Sequence, residues 1–251
     1  MKLKVRDVEF SYKNSKTVLE NIQMTVGANE VLTILGPNGV GKTTLLKCIN
    51  GLLKVRNGTI MIDGEELRKM RRVEVAKRIG YVPQRADVSQ ITVFDSVLLG
   101  RKPHITWDVS KKDIKIAKDI ISRLGLSELS LKYINEISGG ELQKVQIARA
   151  LVQEPKVLLL DEPTSSLDLC NQHQIMSTLV DVVKRNDLTA IMTLHNINLA
   201  LRYSDKFIML KEGKVFAAGG HEVISPENIE AVYNLPVNVA NYMGRPIIIP
   251  L

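Results

Sequence analysis

Three observations predict an α/β fold carrying a helical insertion. Residues 31–35, 157–160, 189–194 and 206–210 are short runs that are apolar almost throughout, as in strands buried on both faces of a largely parallel sheet. The first of them enters a glycine-rich loop that opens directly into Thr44-Leu45-Leu46-Lys47-Cys48-Ile49, a strand–loop–helix order. Between about Arg85 and Gln153 no strongly apolar strand appears, whereas helical spacing does.

Taken in order, 3–10 and 18–26 read as strands joined by a turn through Lys13-Asn14-Ser15-Lys16. Gly27-Ala28-Asn29-Glu30 turns the chain into the strand 31–35, Gly51 closes the helix after the glycine loop, and 58–64 reads as a short hairpin around 59–62. Ile116, Ile120, Ile121 and Leu124 share one helix face within 113–125, with Gly125 as the stop, and 141–151 reads as another helix.

Composition bounds the rest. A chain of 251 residues, 45% hydrophobic and 24% charged, buries an ample core and is not of the disordered class. Lys2, Leu3, Lys4, Val5 and Arg6 alternate charge with aliphatics, which is not a signal peptide. No apolar stretch approaches the ~20 residues that span a bilayer. A cytoplasmic protein is expected, with any membrane role arising through a partner. Cys48 and Cys170 are too few for a disulfide framework and are expected to be buried free thiols. The net charge of +7 gathers in 68–78 and 111–118, which read as solvated helix faces. With 4% aromatic residues and one Trp, a nucleic-acid surface lacks its stacking groups, and no nucleic-acid partner is expected.

Three segments carry the chemistry. Gly36-Pro37-Asn38-Gly39-Val40-Gly41-Lys42-Thr43 is a phosphate loop: glycines let successive N–H groups face an anion, and the helix start adds positive potential. Lys42 supplies a point charge for β- and γ-phosphates, and the Thr43 hydroxyl suits Mg²⁺. Asp161 and Glu162 end a buried strand, where adjacent acids point to opposite sides and divide their labour. Ser138-Gly139-Gly140-Glu141 offers a second anion-binding helix start. His104, His173 and His221 show no metal spacing.

Together these segments resemble the ATP-binding-cassette (ABC) family over nearly the whole chain. The resemblance implies a P-loop NTPase (RecA-like) α/β core over 1–84 and 154–251, with an N-terminal antiparallel β subdomain, and an inserted helical subdomain over 85–153. It implies ATP and Mg²⁺ as ligands. It places Thr44 with the phosphate loop, Tyr12 on adenine, Asp161 and Gln84 in the Mg²⁺ shell with Thr43, Glu162 as general base and His195 as the γ-phosphate switch. Ser138, Gly139, Gly140 and Glu141 match the signature that covers the partner subunit's ATP, and Ser165-Ser166-Leu167-Asp168 matches the loop that communicates across a homodimer. Ile137, Glu141, Ser166 and Asn196 depart from the family's commonest residues.

Two stretches resemble a narrower group. Gly100-Arg101-Lys102-Pro103-His104 and 196–205 are similar to ATPases that power import of iron chelates, haem and vitamin B12. That resemblance implies two transmembrane permease subunits, a substrate-binding protein, and a peripheral position on the cytoplasmic face of the membrane. ABC proteins of DNA repair or translation usually carry two cassettes or a coiled-coil insertion, which this chain lacks, and an exporter ATPase fits the Gly-Arg-x-Pro-His segment less well. The stretch 84–107 is expected to receive the permease: of Val93, Phe94, Val97, Leu98 and Leu99, flanked by Arg85 and Arg101, Val97 and Leu98 are expected in the subdomain's own core and some of the rest in a docking groove, so that Arg101→Glu weakens association.

Overall fold

The computed structural model describes residues 2–13, 16–84, 90–165, 167–242 and 245–251. The chain opens with β1 (Leu3–Ser11) and β2 (Thr17–Val26), antiparallel with Leu3 opposite Val26. Burial alternates along both strands and slips phase once in each, at Arg6-Asp7 and Glu20-Asn21. Asp7 and Asn21 each take φ of 50° there. The bulges keep Val8 and Ile22, which pair across the strands, facing the core after the slip.

Next come β3 (Val31–Leu35), α1 (Lys42–Ile49), β4 (Asn57–Ile62) and β5 (Glu65–Glu66). The hairpin expected at 58–64 exists but is short: β5 pairs through two residues, and β4 mainly joins β1. Then α2 (Arg72–Arg78) leads to β6 (Ile79–Val82), followed by α3 (Val93–Leu99), α4 (Lys111–Arg123) and α5 (Gly139–Leu151). The remaining core elements are β7 (Val157–Asp161), α6 (Leu169–Arg185), β8 (Thr189–Thr193), α7 (Ile197–Tyr203), β9 (Lys206–Lys211) and β10 (Lys214–Gly219). The chain closes with α8 (Pro226–Tyr233), β11 (Val237–Tyr242) and β12 (Arg245–Pro250).

The main sheet has the order β10-β9-β3-β8-β7-β6, parallel from β9 to β6 with β10 antiparallel on the edge. Every residue of β3, β7 and β8 is buried. Their side chains alternate between two apolar clusters. Leu32, Ile34, Leu159 and Ile191 face α1 and the N-terminal sheet. Leu158, Leu160 and Met192 face the other side, in one continuous cluster with Val93, Val97, Ala117 and Ile121 of the helical stretch.

The Gly-Arg-x-Pro-His segment serves as a clamp on α5. Arg101, 3% exposed, donates from Nε to Asp113 Oδ1 and from Nη1 to Val152 O and Glu154 Oε2, each at 2.8 Å. His104 Nε2 lies 2.9 Å from Gln153 O. Gly100 fits against α5 so closely that a Cβ would stand 2.2 Å from Arg149 O. The expectation that Arg101 flanks an exposed docking groove is therefore corrected: its charge is spent inside the fold. Val97 is fully buried and Leu98 half-buried, as expected of core side chains, whereas Val93 is fully buried too, Phe94 is half-buried, and Leu99 and Trp107 are exposed. Arg85 lies outside the described residues.

Cys48 is buried as expected, and burial pushes its thiol up to about 12. Cys170 is exposed, against expectation, because it occupies the solvent side of the first turn of α6. No helix among the described residues is long and apolar enough to cross a membrane.

Candidate functional site

Ligands of open parallel sheets bind beyond the carboxyl ends of the strands, and here the register brings four such ends together. Ile34 and Asp161 both stand opposite Thr193, and Leu160 stands opposite Val82. The chain continues from β3 into the phosphate loop, from β7 into Glu162, from β8 into His195 and from β6 into Gln84.

The phosphate loop leaves β3 at Gly36, whose φ of 147° and a Leu210 carbonyl 2.6 Å from any added Cβ admit only glycine. Gly36 N–H donates to the Tyr233 hydroxyl at 2.7 Å, tying the loop to α8. Gly41, at φ of 108°, caps α1 without a side-chain hydrogen bond, and no acid stands in the first turn. The helix therefore presents uncapped N–H groups and positive potential, as an anion requires. Lys42 is 6% exposed and donates from Nζ to Gly36 O at 2.8 Å and Pro37 O at 3.0 Å. Burial lowers its pKa, opposed by the carboxylates of Glu162 and Asp161.

Beside it, Thr43 Oγ1 donates to Asp161 Oδ1 at 3.0 Å, and Asp161 is 1% exposed. Glu162 receives Gln84 Nε2 on one carboxylate oxygen and lies against His195 Nε2 on the other, both at 2.5 Å. Lys42, Thr43, Gln84, Asp161, Glu162 and His195 thus form one cluster. Its oxygen donors, the Thr43 hydroxyl with the Asp161 carboxylate, suit a hard cation that keeps much of its water, such as Mg²⁺. No group of three or more His, Cys, Asp and Glu residues among the described residues forms an all-protein metal cage.

Tyr12 stands on the rim, half-exposed and edge-on to Phe10, its hydroxyl 3.3 Å from that of Thr44. Ser138 caps α5, accepting from Glu141 N–H at 3.3 Å, while Glu141 Oε2 accepts from Ser138 N–H at 2.8 Å and from its hydroxyl at 2.7 Å. The departure at Glu141 thus completes a reciprocal cap, and those two bonds hold its carboxyl below the usual range. Among the described residues no hydrogen bond joins this turn, or Asp168, to the phosphate loop. Asp168 instead caps α6, accepting from Asn171 N–H at 2.9 Å. Ser166 lies outside the described residues. Asn196 caps α7 through Leu199 N–H at 3.0 Å, as an aspartate at this place can. His104, His173 and His221 bond to Gln153 O, Tyr203 and Leu201 O, which are structural partners. Sequence reasoning missed Thr193 and Tyr233. Thr193 is legible only once strand register is known, and Tyr233 carried no local signal.

Residues 19–165 match the family described as "ABC transporter". The chain is 55% identical over 251 residues to an uncharacterised ABC transporter ATP-binding protein of Methanocaldococcus jannaschii, covering 100% of this chain and 98% of that one. It is 37% identical over 242 residues to a Helicobacter pylori protein named for iron chelatin transport, covering 94% of each. A solved ABC transporter described as of metal-chelate type, in an inward-facing conformation, superposes with a TM-score of 0.86 at 30% identity, covering 100% of this chain and 97% of that one. Other relatives are named for import of cobalamin, petrobactin and phosphonates.

Proposed function

The chain belongs to the ABC transporter family as an ATP-hydrolysing subunit, and from that premise we propose that it energises import of an iron chelate, haem or cobalamin-type ligand. The observation that supports import of this class is the full-length likeness, at both sequence and structure level, to proteins named for iron-chelate and metal-chelate transport. Relatives named for phosphonate import share the cassette at 33% identity, so the ligand is chosen by the partner subunits rather than by this chain.

In this reading Glu162 takes a proton from the attacking water while the bond from γ-phosphorus to the bridging oxygen breaks, giving ADP and phosphate. Lys42 exchanges its carbonyl partners, Gly36 O and Pro37 O, for phosphate oxygens. Thr43, Asp161 and Gln84 would hold Mg²⁺, which supplies charge neutralisation at the phosphates. His195 and Gln84, both on Glu162, orient the base and report the γ-phosphate. Tyr12 supports adenine. Ser138, Gly139, Gly140 and Glu141 serve the site of a second copy, with Asp168 at the contact, in a homodimer.

The dimer works at the cytoplasmic face on two permease subunits, with a substrate-binding protein outside. Among the described residues of the 84–107 stretch, Leu99 and Trp107, 47% and 94% exposed, are the large apolar side chains free to meet a permease. Residues 85–153 make up the helical subdomain of this reading, and 1–84 with 154–251 its core. The test is reconstitution of this chain in vesicles with the permease subunits that co-purify with it, measuring ATP-dependent uptake of ferric siderophore, haem, cobalamin and phosphonate. Uptake of one of the first three, lost in Glu162→Gln, is expected. Uptake of phosphonate alone, or export, overturns the proposal.

A further inference from the structure

Thr193 is fully buried at the last position of β8, opposite Asp161. Its hydroxyl makes two hydrogen bonds at 2.9 Å: it accepts from the backbone N–H of Glu162 and donates to Asp161 Oδ1. The same carboxylate oxygen also accepts from Thr43. One hydroxyl therefore touches both acids of the pair, one through its carboxylate and the other through its main chain.

The backbone explains why such a link is needed. The β7 ladder ends at Asp161, so Glu162 N–H has no strand partner to continue to. Glu162 also takes φ of 50°, a left-handed conformation that side-chain-bearing residues seldom adopt without support. That turn lets Asp161 stay buried at the strand end while the Glu162 carboxylate swings to Gln84 and His195. An aliphatic residue of the same shape fills the space but leaves Glu162 N–H unpaired and Asp161 short of a donor.

We propose that Thr193 is a positioning residue for ATP hydrolysis, its hydroxyl holding Glu162 in the left-handed turn that aims the base. This rests on the reading of Glu162 as the base. Misplacing a reacting group by about 1 Å costs up to ~100-fold, so Thr193→Val is expected to lower kcat by ~10-fold to ~100-fold, with KM for MgATP changed less than about twofold. Thr193→Ser, which keeps the hydroxyl, should recover most of the rate.

The experiment measures steady-state ATPase on the full chain, with nucleotide binding followed separately. It includes Glu162→Gln alone and combined with Thr193→Val. If Thr193 acts through Glu162, the double variant is no slower than Glu162→Gln. Near-normal turnover in Glu162→Gln overturns the base reading itself, whatever Thr193 does. Given a slow Glu162→Gln, a normal kcat in Thr193→Val overturns the inference. So does a further full loss in the double variant, or a Thr193→Ser as slow as Thr193→Val. Thr193→Ala, which relieves any strain from the extra methyl, takes the place of Thr193→Val if that variant does not fold, with the same outcomes decisive.

Discussion

Glu162 takes a left-handed backbone conformation, which costs on the order of 1–3 kcal/mol for a residue with a side chain. The cost is met locally: Ser165 N–H closes a turn onto Glu162 O at 3.2 Å, and Glu162 N–H is bonded as well. On the proposed reading, the Glu162 carboxylate, held between the Gln84 amide and the His195 imidazole, orients the attacking water. Glu162→Gln is isosteric and cannot accept the proton, so ATPase should fall by roughly 10²–10⁴ with MgATP binding kept. On gel filtration with MgATP the variant should run as a persistent dimer, and turnover near wild type would remove Glu162 from the base role.

The element that carries the signature is fixed at both ends by different means. At its start, α5 has the reciprocal cap between Ser138 and Glu141. Just past its end, Arg101 and His104 take the carbonyls of Val152 and Gln153. Arg101 also joins α5 to the start of α4, where Ser110 caps the helix and Asp113 accepts from the Ser110 N–H and pairs with the guanidinium. Removing one partner of a buried pair typically costs ~3–5 kcal/mol. Arg101→Met should therefore lower Tm by several degrees while the folded protein still binds ATP, as thermal melts and nucleotide titration will show. Arg101→Glu sets like charges beside Asp113 and Glu154 and should destabilise more, through folding rather than through loss of a docking contact.

The same pair has an acid signature. The Ser110 hydroxyl first, and the Arg101 guanidinium after it, hold the Asp113 carboxyl at about 2, below its ordinary 3.8. A depressed carboxylate contributes stability that is complete above its unfolded value and is lost as pH falls toward the folded one. Melts between pH 3.8 and 2 should therefore show a loss in the wild type that Ser110→Ala reduces. Equal losses in both would remove the Ser110–Asp113 contact from the account.

At the scale of the whole molecule, the phosphate loop and the signature turn stand on different elements and share no hydrogen bond among the described residues. A second copy offering its α5 start completes the site on this reading. Lys42→Ala disables a subunit's own site, and Ser138→Arg blocks its partner's. Mixing the two inactive proteins should restore up to one working site per heterodimer, seen as ATPase that rises on mixing and saturates with concentration. No gain on mixing, together with rates linear down to high dilution, would place catalysis within one chain.

What the sequence determined by itself was the chemistry and the class of fold. The glycine spacing from Gly36 to Gly41, the acids after the apolar run 157–160 and the histidine after 189–194 are local patterns, each legible because backbone conformation and strand burial are set by neighbouring residues. The four-residue β6, with a glycine in it, and the half-exposed β10 lacked that local signal and were not foreseen. Tertiary structure alone decided which distant side chains meet. Parallel register set Thr193 beside Asp161, and packing of α3 on α5 turned Arg101 from a surface charge into a buried clamp. Register and helix packing are long-range outcomes of burying many side chains at once, so no single stretch of sequence encodes them.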